Sequence, residues 1–328
     1  MATQRRLFST FRCLRHENPL GLPRSGTPPS FPRRRGLPEK RKIRDVKKVI
    51  AVSSAKGGVG KSTIAVNLAL AFARRGIRTG ILDTDIFGPS IPTLLNLSGE
   101  PRLDEHDRLL PLTNYGLKSM SMGYLLPPPP EPTSPTPDIN RQPMDTTPIS
   151  WRGLMVTKAM QQLLHSVSWG PLDVLFLDLP PGTGDVQLTI GQEIILDGAV
   201  IVTTPQDIAL RDAVRGFGMF QRMDVPVLGM VRNMAFFACP ECGTKTKIFS
   251  AGLHNHNHEH GDADWGVVAE CKRLGVEFLG DIPLDARVCE DADRGMPTVV
   301  SEEGDRSVRR EAFMGVAEKV ARKAGVEW

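Results

Sequence analysis

Long hydrophobic runs are missing from this chain of 328 residues, whose apolar stretches are broken by Gly, Asp or Arg short of the ~20 residues that a membrane-spanning helix needs. No integral membrane segment is expected. Cysteine is scarce and odd in number, five residues at irregular spacing, which does not describe a secreted disulfide framework. Free thiols of a matrix or cytosolic compartment are expected instead. Acid is nearly absent from the start of the chain: Glu17 is the only acidic residue before Glu39, against Arg5, Arg6, Arg12, Arg15, Arg24, Arg33, Arg34 and Arg35. An Arg-rich, acid-poor segment with Ser, Thr and Phe reads as a mitochondrial transit peptide over residues 1–35, cut before Gly36, with the mitochondrial matrix as destination. A disordered basic arm is the alternative reading. Pro19, Pro23, Pro28, Pro29 and Pro32 confine any amphipathic helix to roughly the first 15 residues.

The net charge of +4 is unevenly spread, with 14 Lys and Arg against 3 Asp and Glu in residues 1–48, and 27 against 34 in the remainder. An acidic body argues against a DNA-binding ATPase, which gains affinity from a basic face that releases phosphate counterions. No nucleic-acid partner is expected. At 40% hydrophobic and 24% charged, the chain has enough apolar residues for one large core, so residues 36–328 are expected to form one domain.

Short apolar runs alternate with helical stretches. Val49–Ser53 leads into a Gly-rich turn, Thr63–Arg75 has helical length and composition, and Gly76 stops it. Further runs follow at Thr79–Leu82, Val174–Leu177, Ala199–Val202, Val225–Val231 and Glu277–Leu279. This order predicts an α/β fold: one doubly wound, mainly parallel sheet with helices on both faces. A Pro-rich stretch over 127–148 and a polar, His-rich stretch beyond Cys239 and Cys242, to residue 262, read as surface insertions. Met120, Met122, Met219, Met223 and Met230 read as core filling. Ser307–Ala324 reads as a helix with a small apolar face that packs on the body.

Phosphates need several N–H donors converging at a helix N-terminus, and glycines let the backbone curl enough to supply them. Lys56-Gly57-Gly58-Val59-Gly60-Lys61-Ser62-Thr63, after a strand and before a helix, has this pattern, with Ala55 in place of the usual first glycine. It predicts an ATP site in which Lys61 reaches the β- and γ-phosphates, Ser62 ligates Mg²⁺ and Thr63 touches the α-phosphate. Carboxylates fall at the ends of two strands: Asp83-Thr84-Asp85, and Asp178 after Asp173–Leu177. Asp178 is expected to hold Mg²⁺ through water, Asp85 to orient the attacking water, and Gly182-Thr183-Gly184-Asp185 to form a loop beside the γ-phosphate. A slow ATP hydrolase is the expectation.

The Lys56/Lys61 pair resembles the deviant P-loop motif of the MinD/ParA and nitrogenase-iron-protein group. Asp83–Ser90, Pro148–Gly153, Asp178–Asp185 and Thr204–Asp207 narrow the likeness to the Mrp/NBP iron–sulfur carriers, over residues 38–325. The transit-like start and Gly36-Leu37-Pro38 make it similar to the mitochondrial member devoted to respiratory complex I assembly. That resemblance implies a homodimer in which Lys56 reaches the partner's ATP, while Asn233 and the Pro283 region cradle adenine. The implied partners are iron–sulfur apoproteins, complex I subunits among them, and upstream iron–sulfur assembly factors.

Cys239-Pro240-Glu241-Cys242-Gly243 lets two thiolates converge on one metal or cluster. By itself the pair is ambiguous. Zinc would want two more ligands, available from Cys271, Cys289 or the histidines at 254, 256, 258 and 260. A [4Fe–4S] cluster wants four thiolates, two of which one chain supplies here. Two chains would supply four, in keeping with the resemblance, which implies a labile cluster held between subunits and handed on. A MinD/ParA-like positioning ATPase on DNA or membrane, and a nucleotide-bound cluster scaffold that does not hydrolyse, are the alternatives. Cys271 and Cys289 are read as inert, buried thiols.

Overall fold

The computed structural model describes residues 40–86, 88–125, 153–239, 242, 244–249, 266–302 and 307–328. The transit-like segment 1–35, the Pro-rich stretch 127–148, the resembling residues 148–152 and the His-rich residues 254–262 lie outside them.

Apolar runs too continuous to alternate in and out belong to strands covered on both faces. Val46–Ser53 forms β1, Thr79–Asp83 forms β2, and Leu112–Asn114 and Leu117–Ser121 form β3 and β4. They are followed by β5 (Leu172–Asp178), β6 (Gly198–Thr203), β7 (Val227–Arg232), the short β8 (Phe237–Ala238) and β9 (Lys245–Thr246), and β10 (Phe278–Asp281). One eight-stranded sheet runs in the order β10-β7-β6-β1-β5-β2-β4-β3, parallel except for β3 on β4. The expected doubly wound sheet is present. The strand expected at Val225–Val231 begins two residues later, at Val227, and ends at Arg232, and that expected at Glu277–Leu279 begins at Phe278.

Side chains that alternate along each strand divide the core in two. Val49 and Ala51 of β1, Leu175 and Leu177 of β5, and Ala199 and Ile201 of β6 face one layer. Ile50, Val52, Val174, Phe176, Val200 and Val202 face the other. Helices α3 (Gly153–His165), α4 (Asp185–Glu193), α5 (Asp207–Arg222) and α6 (Val267–Leu274) supply the first layer through Leu163, Ile190, Phe220 and Cys271. Helix α1 (Lys61–Arg74), the short α2 (Ile91–Leu94), α7 (Ala286–Asp293), the short α8 (Thr298–Ser301) and α9 (Val308–Ala324) supply the second. The five methionines assigned to the core are buried.

Helix α1 starts at Lys61 rather than Thr63 and ends at Arg74, with Gly76 at φ 80° taking the left-handed turn that closes it. Helix α9 packs on α1 and β10 through Phe313, Val316, Val320 and Ala324, as its apolar spacing predicted. The ring of Phe72 on α1 meets Phe176 and Trp328 edge-on, at 5.1 and 5.3 Å. Among the described residues no helix is long and apolar enough to cross a membrane.

Candidate nucleotide and thiol site

Every parallel strand of the sheet delivers its C-terminal residue to one edge, where an α/β sheet binds its ligands. Ser53, Asp83, Asp178, Thr203, Arg232 and Asp281 end their strands there. The loop from Ser54 to Gly60 leaves β1 at this edge and turns into α1. Gly60 occupies the N-cap at φ 80° with no side chain capping the helix, so the first N–H groups of α1 keep their donors for an anion. Gly58 also lies at positive φ, 76°, and Gly57 and Gly58 are exposed. A Cβ at Gly60 would collide with the side-chain amide of Asn233, which donates to the Val59 carbonyl at 2.8 Å.

Lys61 forms a buried ion pair with Asp178 Oδ1 and lies 3.1 Å from Ser62 Oγ. Asp178 is fully buried, and its Oδ2 accepts no hydrogen bond from the described residues. Burial raises its pKa, against the lowering effect of the Lys61 charge. A buried, unpartnered carboxylate oxygen and the nearby Ser62 hydroxyl are oxygen donors of the kind a hydrated divalent cation takes, so Ser62 and Asp178 could hold Mg²⁺ once the Lys61 charge turns away. Thr63 sits one residue further along α1, its carbonyl taken by Asn67 at 2.9 Å. The Lys56 side chain makes no hydrogen bond or ion pair with the described residues, while its carbonyl accepts from Ser54 Oγ at 2.9 Å.

The two carboxylates of Asp83-Thr84-Asp85 differ sharply. Asp83 is buried and accepts the N–H groups of Asp85, Ser90 and Ile91 and the Ser121 hydroxyl. Burial and the neighbouring Asp178 charge push its pKa up to about 7. Asp85 is half-buried, accepts, among the described residues, only the Gly88 N–H at 3.2 Å, and is close enough for its charge to raise the Asp178 pKa. The loop after β5 is held from beneath: Gln187, buried on α4, donates from Nε2 to the Pro180 and Gly182 carbonyls, both at 2.6 Å. The Gly182 N–H in turn donates to the Ser54 carbonyl at 2.9 Å, tying this loop to the P-loop. Sequence reasoning had no signal for Ser121, whose partner Asp83 lies 38 residues away, or for Gln187, whose role depends on how the loop before α4 folds back over it.

The thiols extend from the same edge. After β7 the chain runs through Asn233, whose N–H donates to the Thr203 carbonyl at 2.8 Å, and then zips onto the segment after β10. Ala235 N–H donates to the Ile282 carbonyl at 3.0 Å, and Leu284 N–H to the Phe236 carbonyl at 2.8 Å, with Pro283 buried between. Strands β8 and β9 then pair as a hairpin, and Cys239 N–H donates to the Thr244 carbonyl at 3.0 Å. Cys242 is exposed, and its thiol lies 3.2 Å from the Thr244 hydroxyl oxygen; hydrogen bonding with the Thr244 side chain and backbone and with Cys239 lowers its pKa to about 7. No third His, Cys, Asp or Glu among the described residues joins the two cysteines. Cys271 is buried, as expected, but Cys289 is exposed: it falls on the outer side of α7, whose buried residue is Ala292.

The family described as ParA, NUBPL iron-transfer P-loop NTPase, matches residues 45–321. The mouse iron–sulfur cluster transfer protein NUBPL is 45% identical over 88% of this chain and 81% of its own length. An Arabidopsis thaliana iron–sulfur protein required for mitochondrial NADH dehydrogenase is 40% identical over 86% of this chain and 80% of its own. Among solved structures, a nucleotide-binding protein of Archaeoglobus fulgidus in complex with ADP, with Co, superposes with a TM-score of 0.60 at 33% identity, over 78% of this chain and 89% of that one.

Proposed function

This chain belongs to the NUBPL iron-transfer P-loop NTPases, and from that premise we propose that it is an ATP-dependent carrier that holds a labile [4Fe–4S] cluster between two copies and delivers it to mitochondrial apoproteins, complex I subunits among them. Its site of action is the mitochondrial matrix. The cluster is cargo, and Cys239 and Cys242 of each copy are its ligands, giving the four thiolates that such a cluster takes.

The observation that supports this reading best is the short path between the two sites. Asn233 touches the P-loop through Val59, and six residues later the same segment reaches Cys239, with hydrogen bonds to residues 282–284 along the way. Adenine held by Asn233 and Pro283 would lie against that segment. A change in the P-loop's contents therefore reaches the thiols through hydrogen-bonded backbone.

In the hydrolytic half, Lys61 leaves Asp178 for the β- and γ-phosphates, and the α1 N–H groups cradle the phosphate oxygens. Mg²⁺, when bound, neutralises charge that develops on those oxygens. Ser62 and Asp178 orient it, Asp85 orients the attacking water, and Lys56 reaches the partner's nucleotide. Hydrolysis then resets the two thiol hairpins, so that cluster-loaded and cluster-free states differ in nucleotide affinity.

Anaerobic reconstitution with iron and sulfide tests the carrier reading. About four irons and four sulfides per two chains, lost in Cys239→Ala/Cys242→Ala, is the expected result. Zinc without sulfide, or a cluster retained by the double variant, would overturn it.

A further inference from the structure

Asp83 and Asp85 stand two residues apart at the end of β2, and the structure gives them different work. We propose that Asp83 is a positioning residue for hydrolysis: it closes the loop from Thr84 to Ile91 onto itself and thereby sets where the Asp85 carboxylate stands relative to Asp178. This deepens the hydrolase reading above and rests on it.

The geometry carries the assignment. Asp83 Oδ1 accepts the Asp85 N–H at 3.0 Å, at the start of the loop. Its Oδ2 accepts the N–H groups of Ser90 and Ile91 at 3.1 and 3.2 Å, at the loop's far end, where α2 begins. The same oxygen accepts the Ser121 hydroxyl at 3.0 Å, from the end of β4. One carboxylate thus joins both ends of the loop to the neighbouring strand. Asp83 is 1% exposed, and the four donors aimed at its carboxylate all come from the loop and from β4.

A second anchor is built beside it. Thr84 donates twice to the Asp178 carbonyl, through its N–H at 3.0 Å and its hydroxyl at 2.7 Å. Residues 83 and 84 therefore fix the loop to β5 and β4 before the chain reaches Asp85, whose carboxylate is held, among the described residues, by the Gly88 N–H alone. A carboxylate that must orient a water within hydrogen-bond reach of a phosphorus needs its backbone set to a fraction of an ångström, because misplacement by about 1 Å costs on the order of 100-fold in rate. Asp83 and Ser121, bonded to each other at 3.0 Å, provide that setting.

Asn at position 83 keeps the size and one acceptor but turns an NH₂ toward donors, so the loop loses at least one tie. The experiment compares Asp83→Asn and the milder Ser121→Ala with the wild-type full chain. The readouts are steady-state kcat and KM for ATP, ATP affinity at equilibrium, and amide hydrogen exchange across 84–91. The expected result is a kcat lowered at least ~10-fold in Asp83→Asn and ~3-fold in Ser121→Ala, with ATP affinity within ~3-fold of wild type and faster exchange at Asp85, Ser90 and Ile91 in both. ATP affinity falling in step with kcat would reduce Asp83 to a structural support and overturn the assignment, as would a wild-type kcat in a variant whose loop exchanges faster. Should Asp83→Asn fail to fold, Ser121→Ala decides alone by the same split. A wild-type chain that binds ATP without turnover would end the hydrolase reading separately. Unchanged exchange at Asp85 in the variants would then end this one.

Discussion

The Asn233 side chain fills the space a Cβ on Gly60 would need, and from there its amide holds the Val59 carbonyl at 2.8 Å. The end of β7 and the P-loop are therefore fitted to each other across 174 residues of sequence. Gly60→Ala meets two obstacles: a left-handed φ of 80°, worth roughly 1–2 kcal/mol for an L-residue, and the collision with Asn233. ATP affinity should fall at least ~10-fold by titration, since relieving the clash shifts either the P-loop or Asn233 by about the tolerance of a bound phosphate. Asn233→Ala frees the space but also removes the adenine contact proposed for Asn233, so Gly60→Ala/Asn233→Ala should lose less affinity than the two single losses combined. A double variant as weak as the sum of the singles would show that the two positions are not coupled.

Lys61 and Asp178 invite a prediction about folding as well as turnover. Asp178 is fully buried and Lys61 nearly so, and removing one partner of a buried pair leaves an uncompensated charge at a cost of about 3–5 kcal/mol. Lys61→Ala should therefore unfold at clearly lower urea than wild type, besides losing ATP turnover. Lys61→Met/Asp178→Asn removes both charges and should regain more than half of that stability without regaining activity. Additive losses in a urea series would refute the pairing as a source of stability.

Much of this site could be read before the fold was seen, for a physical reason. The phosphate loop is local: its glycines, Lys61 and Ser62 are neighbours in sequence, so spacing alone describes the geometry. Buried parallel strands such as Ala199–Val202 announce themselves as unbroken apolar runs. Strand β4 did not, because its sequence Leu117–Ser121 buries Ser119 and Ser121 as well as Met120. Those serines are satisfied by Tyr124 and Asp83, partners that composition does not reveal. The difference between Asp83 and Asp85 is hidden in part for the same reason: burial, and a donor from Ser121 on another strand, separate two residues of the same type. Cys289 was misplaced because the short α7 buries little beyond Ala292, so helical surroundings did not entail a buried thiol.

Arg309, at the start of α9, reaches Asp285 at 2.6 Å and Glu302 through two of its nitrogens, with 16% of its side chain exposed. This joins the N-terminus of α7 and the end of α8 to the C-terminal helix. Burial pushes the Asp285 carboxyl up, but the Arg287 N–H and the Arg309 guanidinium more than offset it and leave its pKa below the ordinary value. A depressed carboxylate contributes stability that is complete above the unfolded pKa of about 4 and is lost as pH falls below it. Arg309→Ala should cost about 2–4 kcal/mol at pH 7, judged from partly buried pairs, and less as the pH is taken below 4. Equal stability of wild type and variant at pH 7 would remove this cluster from the account of how α9 docks.

Cys271 differs from Cys242 and Cys289 in access: it is buried, and they are exposed. It is 2% exposed on α6, and burial, with the Glu270 charge, raises its pKa to about 11, against a lowering by Arg232. A raised thiol pKa leaves the neutral S–H as the dominant form at neutral pH, so both access and thiolate fraction work against reaction. In the folded chain at pH 8, iodoacetamide should modify exposed Cys289 and leave Cys271 untouched, as read by peptide mass spectrometry, while the unfolded chain is modified at both. The same reasoning makes Cys271→Ala neutral for iron and sulfide content after reconstitution, in contrast to Cys239→Ala/Cys242→Ala. Iron lost on Cys271→Ala in a variant that still binds ATP would place a third thiol in the ligand set. Two copies contributing only their Cys-x-x-Cys pairs would then no longer account for the cluster.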